Sequence, residues 1–319
     1  MITMIKKTST VLLATIAISG PMMTSLSAHA ADEHFVMISH APDSDSWWNT
    51  VKNAVKESAD TMGVRVDYRN PSTGDLADMA RIVEQSIATN PDGIIVSIAD
   101  FDVLSGPLEK ATRKGIPIIT INSGTAEQSL KLNALMHIGQ PEYEAGFGAG
   151  KKAQKAGVTS FLCVNHYITN PASVERCKGY ADAIGVDLTS SMIDSQQDPS
   201  GIEMKVRAYM RSNPDTDAIL AVGPTSAHPT IRALDKMKLN GKVHFSTFDL
   251  SEDIASAIKN GTIAFAIDQQ PYLQGYMPVV ILTLYNRYGI IQSNNINSGP
   301  GYITADNLAL VEKLTGTVR

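Results

Sequence analysis

Cysteine is nearly missing from this 319-residue chain, and the two present, Cys163 and Cys177, stand in no metal or redox spacing. Seven histidines are scattered, with no pair at helical i, i+4 spacing and no H-E-x-x-H. The chain therefore offers no metal site and implies no cofactor. No G-x-S-x-G elbow is present, so the common hydrolase nucleophile is missing too. After the first thirty residues no run approaches the roughly 20 uninterrupted apolar residues of a bilayer-crossing helix. There is no Ser/Gly/Pro-rich linker, so any lobes must be joined by ordered crossovers. An excess of positive charge is also lacking. The net charge of −5 and pI near 5.8 weigh against nucleic acid or an anionic membrane as partner.

One glycine cluster imitates a phosphate loop. Gly146-Phe147-Gly148-Ala149-Gly150-Lys151 puts Gly146 too close to Gly150-Lys151 for a Walker A motif, and Lys152 stands where Ser or Thr is required. A dinucleotide fingerprint needs a third glycine where Lys151 stands. These small residues read instead as mid-helix positions packed closely on a sheet. Asp100 and Asp102, flanking Phe101, suggest paired carboxylates for glycoside chemistry, but the spacing suits capping of the next helix better.

What is present begins with a leader. Lys6 and Lys7 precede the apolar run Val11 to Ile18, and Ala28-His29-Ala30 is a small-residue cleavage site, so residues 1–30 read as a secretory signal peptide and the mature protein as soluble and periplasmic. Export exposes Cys163 and Cys177 to an oxidising compartment and favours a disulfide. Two buried free thiols are the other reading.

From residue 34 strands and amphipathic helical segments alternate about every thirty residues, the mark of parallel βαβ units. Strands are expected at Phe35–Ile38, Val64–Tyr68, Gly93–Ile98, Ile116–Asn122, Ser160–Asn165, Thr189–Asp194, Ala218–Val222, Val243–Phe248 and Thr262–Asp268. These exceed one comfortable sheet and predict two, with a boundary in Ala134 to Tyr143. The stretch His34 to Trp48 reads as a strand, a polar loop and a helix capped by Ser46 or Asp45. Trp48, Val51, Val55, Ala59 and Met62 form that helix's buried stripe, and Trp47 lies off it. The two tryptophans are either core or a stacking platform for a sugar. A polar side chain also follows each apolar strand: Ser97 and Asp100, Asn122 and Ser123, His166 to Asn170, Gln196 and Gln197, Pro224 and Thr225, Asp249, and Asp268-Gln269-Gln270. All fall on the carboxyl edge of a parallel sheet, where ligands bind. Arg176 adds a planar cationic donor.

On Asp45-Ser46-Trp47-Trp48, Pro91-Asp92-Gly93-Ile94-Ile95-Val96-Ser97, Gly115 to Ile119, Ser173 to Tyr180, Thr247-Phe248-Asp249 and Asp268 to Tyr272, the chain resembles the periplasmic sugar-binding proteins of ABC transporters, in the ribose-binding, LacI-like group. The resemblance implies an α/β fold of two lobes, each a parallel sheet flanked by helices and hinged by crossovers. The N-terminal lobe is expected at residues 31–139 plus 270–297, and the C-terminal lobe at 140–269 plus 298–319. It places Asp45, Trp47, Trp48, Ser97, Asn122, Arg176, Asp249 and Gln269 at the ligand. Asn122-Ser123, Gln197 and Gly223-Pro224-Thr225 depart from the ribose-binding pattern and point to a hexose, polyol or sugar–amino acid conjugate. The implied function is non-enzymatic: a monomer that closes over a small molecule and presents it to ABC permease subunits. An exported sensor for a membrane receptor and a sugar-modifying enzyme are the alternatives. A LacI-type regulator needs a DNA-binding helix-turn-helix where the leader stands.

Overall fold

The computed structural model describes residues 33–319 apart from residues 44 and 46, so the expected signal peptide and the Ser46 cap lie outside the described residues. The first run of elements is β1 (His34–Ile38), α1 (Trp47–Met62), β2 (Arg65–Arg69), α2 (Leu76–Ala88), β3 (Gly93–Ser97), α3 (Phe101–Arg113), β4 (Ile118–Ile121), α4 (Ala126–Lys131) and β5 (Met136–Gly139). The second starts with α5 (Glu142–Lys155), β6 (Phe161–Asn165), α6 (Pro171–Ile184), α7 (Leu188–Ser191) and β7 (Met192–Asp194). It continues through α8 (Pro199–Ser212), β8 (Ala218–Ala221), α9 (Pro224–Met237), β9 (His244–Phe248), α10 (Glu252–Lys259) and β10 (Phe265–Asp268). The chain then supplies α11 (Pro271–Tyr288) and β11 (Ile296–Asn297) to the first lobe and β12 (Gly301–Ile303) to the second.

The sheets run β11-β5-β4-β3-β1-β2 and β12-β10-β9-β8-β6-β7, with every neighbouring pair parallel except β10 and β12. Each lobe therefore repeats one doubly wound order, whose direction reverses between β1 and β3 and between β6 and β8. The crevice outside the strand ends at such a reversal is where this architecture takes ligands. Strand side chains alternate between two apolar layers. Val36, Ile38, Ile94, Val96 and Ile118 pack toward Met79, Val83, Leu104 and Leu108 on one face, while Phe35, Met37, Ile95 and Ile119 pack toward Val51, Val55, Val279 and Leu282 on the other. Burial on both faces explains why these strands read as continuous apolar runs.

The structure corrects three expectations. Thr189 to Ser191 belong to a helical turn capped by Asp187, leaving only Met192–Asp194 as strand. Met62 is only half-buried at the end of its stripe. Two of the α5 glycines face α6 rather than the sheet: a Cβ on Gly146 would strike the Arg176 carbonyl oxygen, and one on Gly150 would lie 2.7 Å from the Tyr180 carbonyl oxygen, while Gly148 faces Tyr302 of β12. Gly179 on α6 returns the contact against the Tyr143 carbonyl oxygen. Small residues let these backbones nearly touch, and that approach sets Glu142 beside Arg176. Asp100 caps α3 by accepting from the Val103 N–H, as its spacing implied. Cys163 and Cys177 are joined, with Cα atoms 5.8 Å apart.

Candidate functional site

A cavity of about 460 Å³ lies between the carboxyl edges of the two sheets. From the first lobe it is lined by His40, Asp45, Trp47, Trp48 and Asn122, and from the second by His166, Tyr167, Arg176 and Asp249, with Gln269 at the crossover. Seven of the eight expected ligand residues thus line one cavity. Ser97 does not reach it. It lies fully buried at the end of β3, where its Oγ accepts from the His40 N–H at 3.1 Å and sits 2.9 Å from His40 Nδ1. The polar end of β3 thereby orients a ring that lines the cavity.

The two tryptophans divide the readings that the sequence left open. Trp48 is buried on the α1 stripe with its ring edge-on to His40 at 5.4 Å, whereas Trp47 is half-exposed, 5.1 Å from Trp48 and nearly perpendicular to it. One braces the other, which offers an aromatic surface to the cavity. Asp45 accepts from the Trp47 backbone N–H at 3.0 Å. Burial raises its pKa, opposed by that bond and by Lys52.

Asn122 and Asp249 occupy matching places, each the first residue after its strand and each with positive φ, 56° and 65°. Side chains that tolerate this conformation are short and polar, so the backbone turn itself favours Asn or Asp here. Asp249 Oδ1 accepts from Gln269 Nε2 at 2.7 Å and, across the cleft, from Trp47 Nε1 at 3.0 Å. Complete burial lifts the Asp249 pKa to about 7 against the pull of Arg176 and Gln269. Gln269 Oε1 accepts a longer bond from Asn122 Nδ2 at 3.4 Å. A second bond across the cleft runs from Asn170 Nδ2 to Ser123 Oγ at 2.9 Å.

Arg176 is held by its own lobe. Its Nε and Nη2 donate to the two Glu142 oxygens at 2.7 Å each, Nη1 donates to the Val222 carbonyl oxygen at 2.7 Å, and the guanidinium lies 4.3 Å over the Phe248 ring. Burial works against its charge, and the Glu142 carboxylate more than restores it. Three of its five N–H groups are spent, so two remain for a ligand. His40 and His166 are both pushed down to about 4 by burial and face the cavity as neutral rings.

Sequence reasoning passed over Glu142, His228 and Arg232. The need for Glu142 follows from burial of Arg176, since a buried cation requires a carboxylate. Thr225, His228 and Arg232 recur at i, i+3 and i+7 on α9, a stripe that was readable in principle. Among the described residues no cluster of metal-ligating side chains occurs, and no helix is long and apolar enough to cross a membrane.

With this geometry in place, comparison with known proteins defines the class. The sequence model of the periplasmic binding protein domain matches residues 35–286, most of the chain. The protein belongs to that family. Its relatives there include the xylose/arabinose-binding protein of Sulfolobus acidocaldarius, 23% identical over 91% of this chain and 79% of the relative. The ribose import binding protein of Haemophilus influenzae is 27% identical over 80% of this chain and 87% of its own. Among solved structures, a carbohydrate transporter protein from Acidothermus cellulolyticus in complex with myo-inositol superposes with a TM-score of 0.82, at 27% identity and covering 89% of this chain and 98% of that one.

Proposed function

We propose that this protein is the exported substrate-binding component of an ABC transporter: residues 1–30 direct it to the periplasm and are removed, the lobes close over a sugar or polyol, and the closed form is read by the permease subunits. The crossovers after Gly139, Asp268 and Asn297 make the hinge, and the lobes are residues 31–139 with 270–297 and residues 140–269 with 298–319. One observation carries the reading. The cavity brings an aromatic face, two carboxylates, an anchored guanidinium and four carboxamides to one space at the switch points of both sheets. Such a set can pair the alternating donors and acceptors of vicinal hydroxyls, which a bare apolar pocket would leave unsatisfied. Relatives that bind pentoses and a neighbour that holds an inositol support the same class.

The test is a thermal-shift screen of the mature protein against pentoses, hexoses and cyclitols. A ligand at a hundred times its Kd stabilises by about 2.7 kcal/mol, a shift of several degrees. A panel in which no sugar or polyol moves the transition overturns the reading.

A further inference from the structure

The cavity does not end at the ring-binding groups. Beyond Asp249 it runs along the second lobe to the face where α8 and α9 pack, and its outer lining there is Gln197, Pro199, His228 and Arg232. The charge balance of this end differs from the inner one. A single carboxylate, Glu203, serves three cations: Lys236 Nζ holds it at 2.6 Å, while Arg207 Nη1 and Arg232 Nε stand off at 3.6 and 3.7 Å. Lys236 has the short bond, so Arg232 keeps a guanidinium that makes no hydrogen bond to any described residue and is about half exposed, at 49%. Asp198 is engaged in capping α8 through the Gly201 N–H, and Asp253 sits in the first turn of α10 near His228. His228 is bonded to Ser251 Oγ at 2.7 Å and stays below its ordinary pKa, chiefly through burial. The outer end thus presents one unspent planar cation, a neutral imidazole and the carboxamide of Gln197, which also makes no hydrogen bond among the described residues.

We propose that the ligand carries a carboxylate beyond its polyol portion, and that this carboxylate lies against Arg232 with Gln197 beside it. The proposal rests on the sugar-binding reading and narrows it to acidic sugars or carboxylate-bearing sugar derivatives. The planar fork of one guanidinium matches the two oxygens of a carboxylate. A phosphate dianion would ask for more donors than this end supplies.

Calorimetry on the mature protein with matched probes tests this: galactose against galacturonate, glucose against glucuronate, glucitol against gluconate, and glucose 6-phosphate as the phosphate arm. The expected result is that at least one acid binds more tightly than its neutral partner. That preference should fall about tenfold in Arg232→Gln, equivalent to about 1.4 kcal/mol. It should return only in part in Arg232→Lys, which keeps the charge without the planar fork, and weaken with added salt, which a merely structural role of Arg232 would not produce. Urea denaturation of both variants confirms that folding is intact, and Gln197→Ala supplies an independent variant on the other side of the same end. If neutral members bind and the acids do not, the inference falls while the sugar-binding reading stands. If the phosphate binds best, the carboxylate assignment is wrong. If no member binds, the sugar-binding reading itself has failed, and the inference with it.

Discussion

The two lobes are built to one plan, and the positions where they match differ in charge. Gly275 on α11 meets the Val51 carbonyl oxygen of α1 as Gly146 on α5 meets that of Arg176 on α6. Counting from these contacts, Val51 in the first lobe corresponds to Arg176 in the second, and Pro271 to Glu142. The turns after β4 and β9 likewise pair Asn122 with Asp249. Where the first lobe is neutral, the second carries a buried ion pair and a buried acid. The first lobe instead supplies the tryptophan face. A ligand between them is stacked from one side and hydrogen-bonded to charged groups from the other, so closure combines two kinds of interaction that neither lobe has alone. The second lobe also carries the braces, the Arg176–Glu142 pair and the Cys163–Cys177 bridge.

Removing half of the buried pair should break this contrast most severely. Glu142→Ala leaves the Arg176 guanidinium without its carboxylate inside the lobe, a loss of about 3–5 kcal/mol. Urea denaturation reads it, and a loss under 1 kcal/mol would mean that the pair is not what holds the α5–α6 seam. Arg176→Ala should fall in the same range and should also weaken binding, because its two unspent N–H groups face the cavity.

Next in size is the bridge. The Cys163–Cys177 link closes a short loop, 14 residues apart, for which the chain-entropy account gives about 3 kcal/mol. Thiol titration of the denatured, unreduced protein should find no free thiol, and reduction should lower the urea midpoint. Two titratable thiols would return both cysteines to the inert-core reading and leave the second lobe with one brace.

Much of the architecture was legible in the sequence because parallel strands buried on both faces must be apolar throughout. Phe35–Ile38 and Gly93–Ile98 are such runs, and the strands found are His34–Ile38 and Gly93–Ser97. β11 and β12 escaped because two or three residues carry no period. The Thr189–Asp194 reading held only for Met192–Asp194, because Asp187 offers a cap for a helical turn that a β-rich segment does not advertise. At the site, residues that end a strand were found by position alone. Whether such a residue faces the cavity or a neighbour depends on packing the sequence does not display. Ser97 serves His40, and two of the five Arg176 N–H groups serve Glu142.

The acids and imidazoles of the two lobes also oppose each other in pH. His40, His137 and His166 fall from 6.5 to about 4 on burial, so each contributes stability that is complete above pH 6.5 and lost as pH falls toward 4. Asp249 is raised from 3.8 to about 7, so its burial costs stability as pH rises from 4 to 7. Three groups outweigh one, and ligand-free stability should rise between pH 4.5 and 6.5. Asp249→Asn removes the opposing proton and should steepen that rise by about 1.4 kcal/mol per pH unit. Thermal denaturation of both proteins across this range measures the difference in slope. Equal slopes would mean that Asp249 is ionised throughout.

The smallest effect concerns one of the contacts that join the lobes without ligand, the other being the Asn170–Ser123 bond. Trp47 Nε1 donates to Asp249 Oδ1 at 3.0 Å, so the aromatic face of one lobe is tied to the acid of the other. Trp47→Phe keeps a ring for stacking and removes only the donor, which should destabilise the closed arrangement by about 1 kcal/mol, a few-fold shift toward open forms. Small-angle scattering of the ligand-free protein should then give a larger radius of gyration for the variant. The difference should grow from pH 6 to pH 8, because Asp249 ionises near pH 7 and an ionised acceptor binds the indole N–H more strongly. Coincident profiles at both pH values would show that this tie contributes nothing to closure, leaving the Asn170–Ser123 bond and the ligand to bring the lobes together.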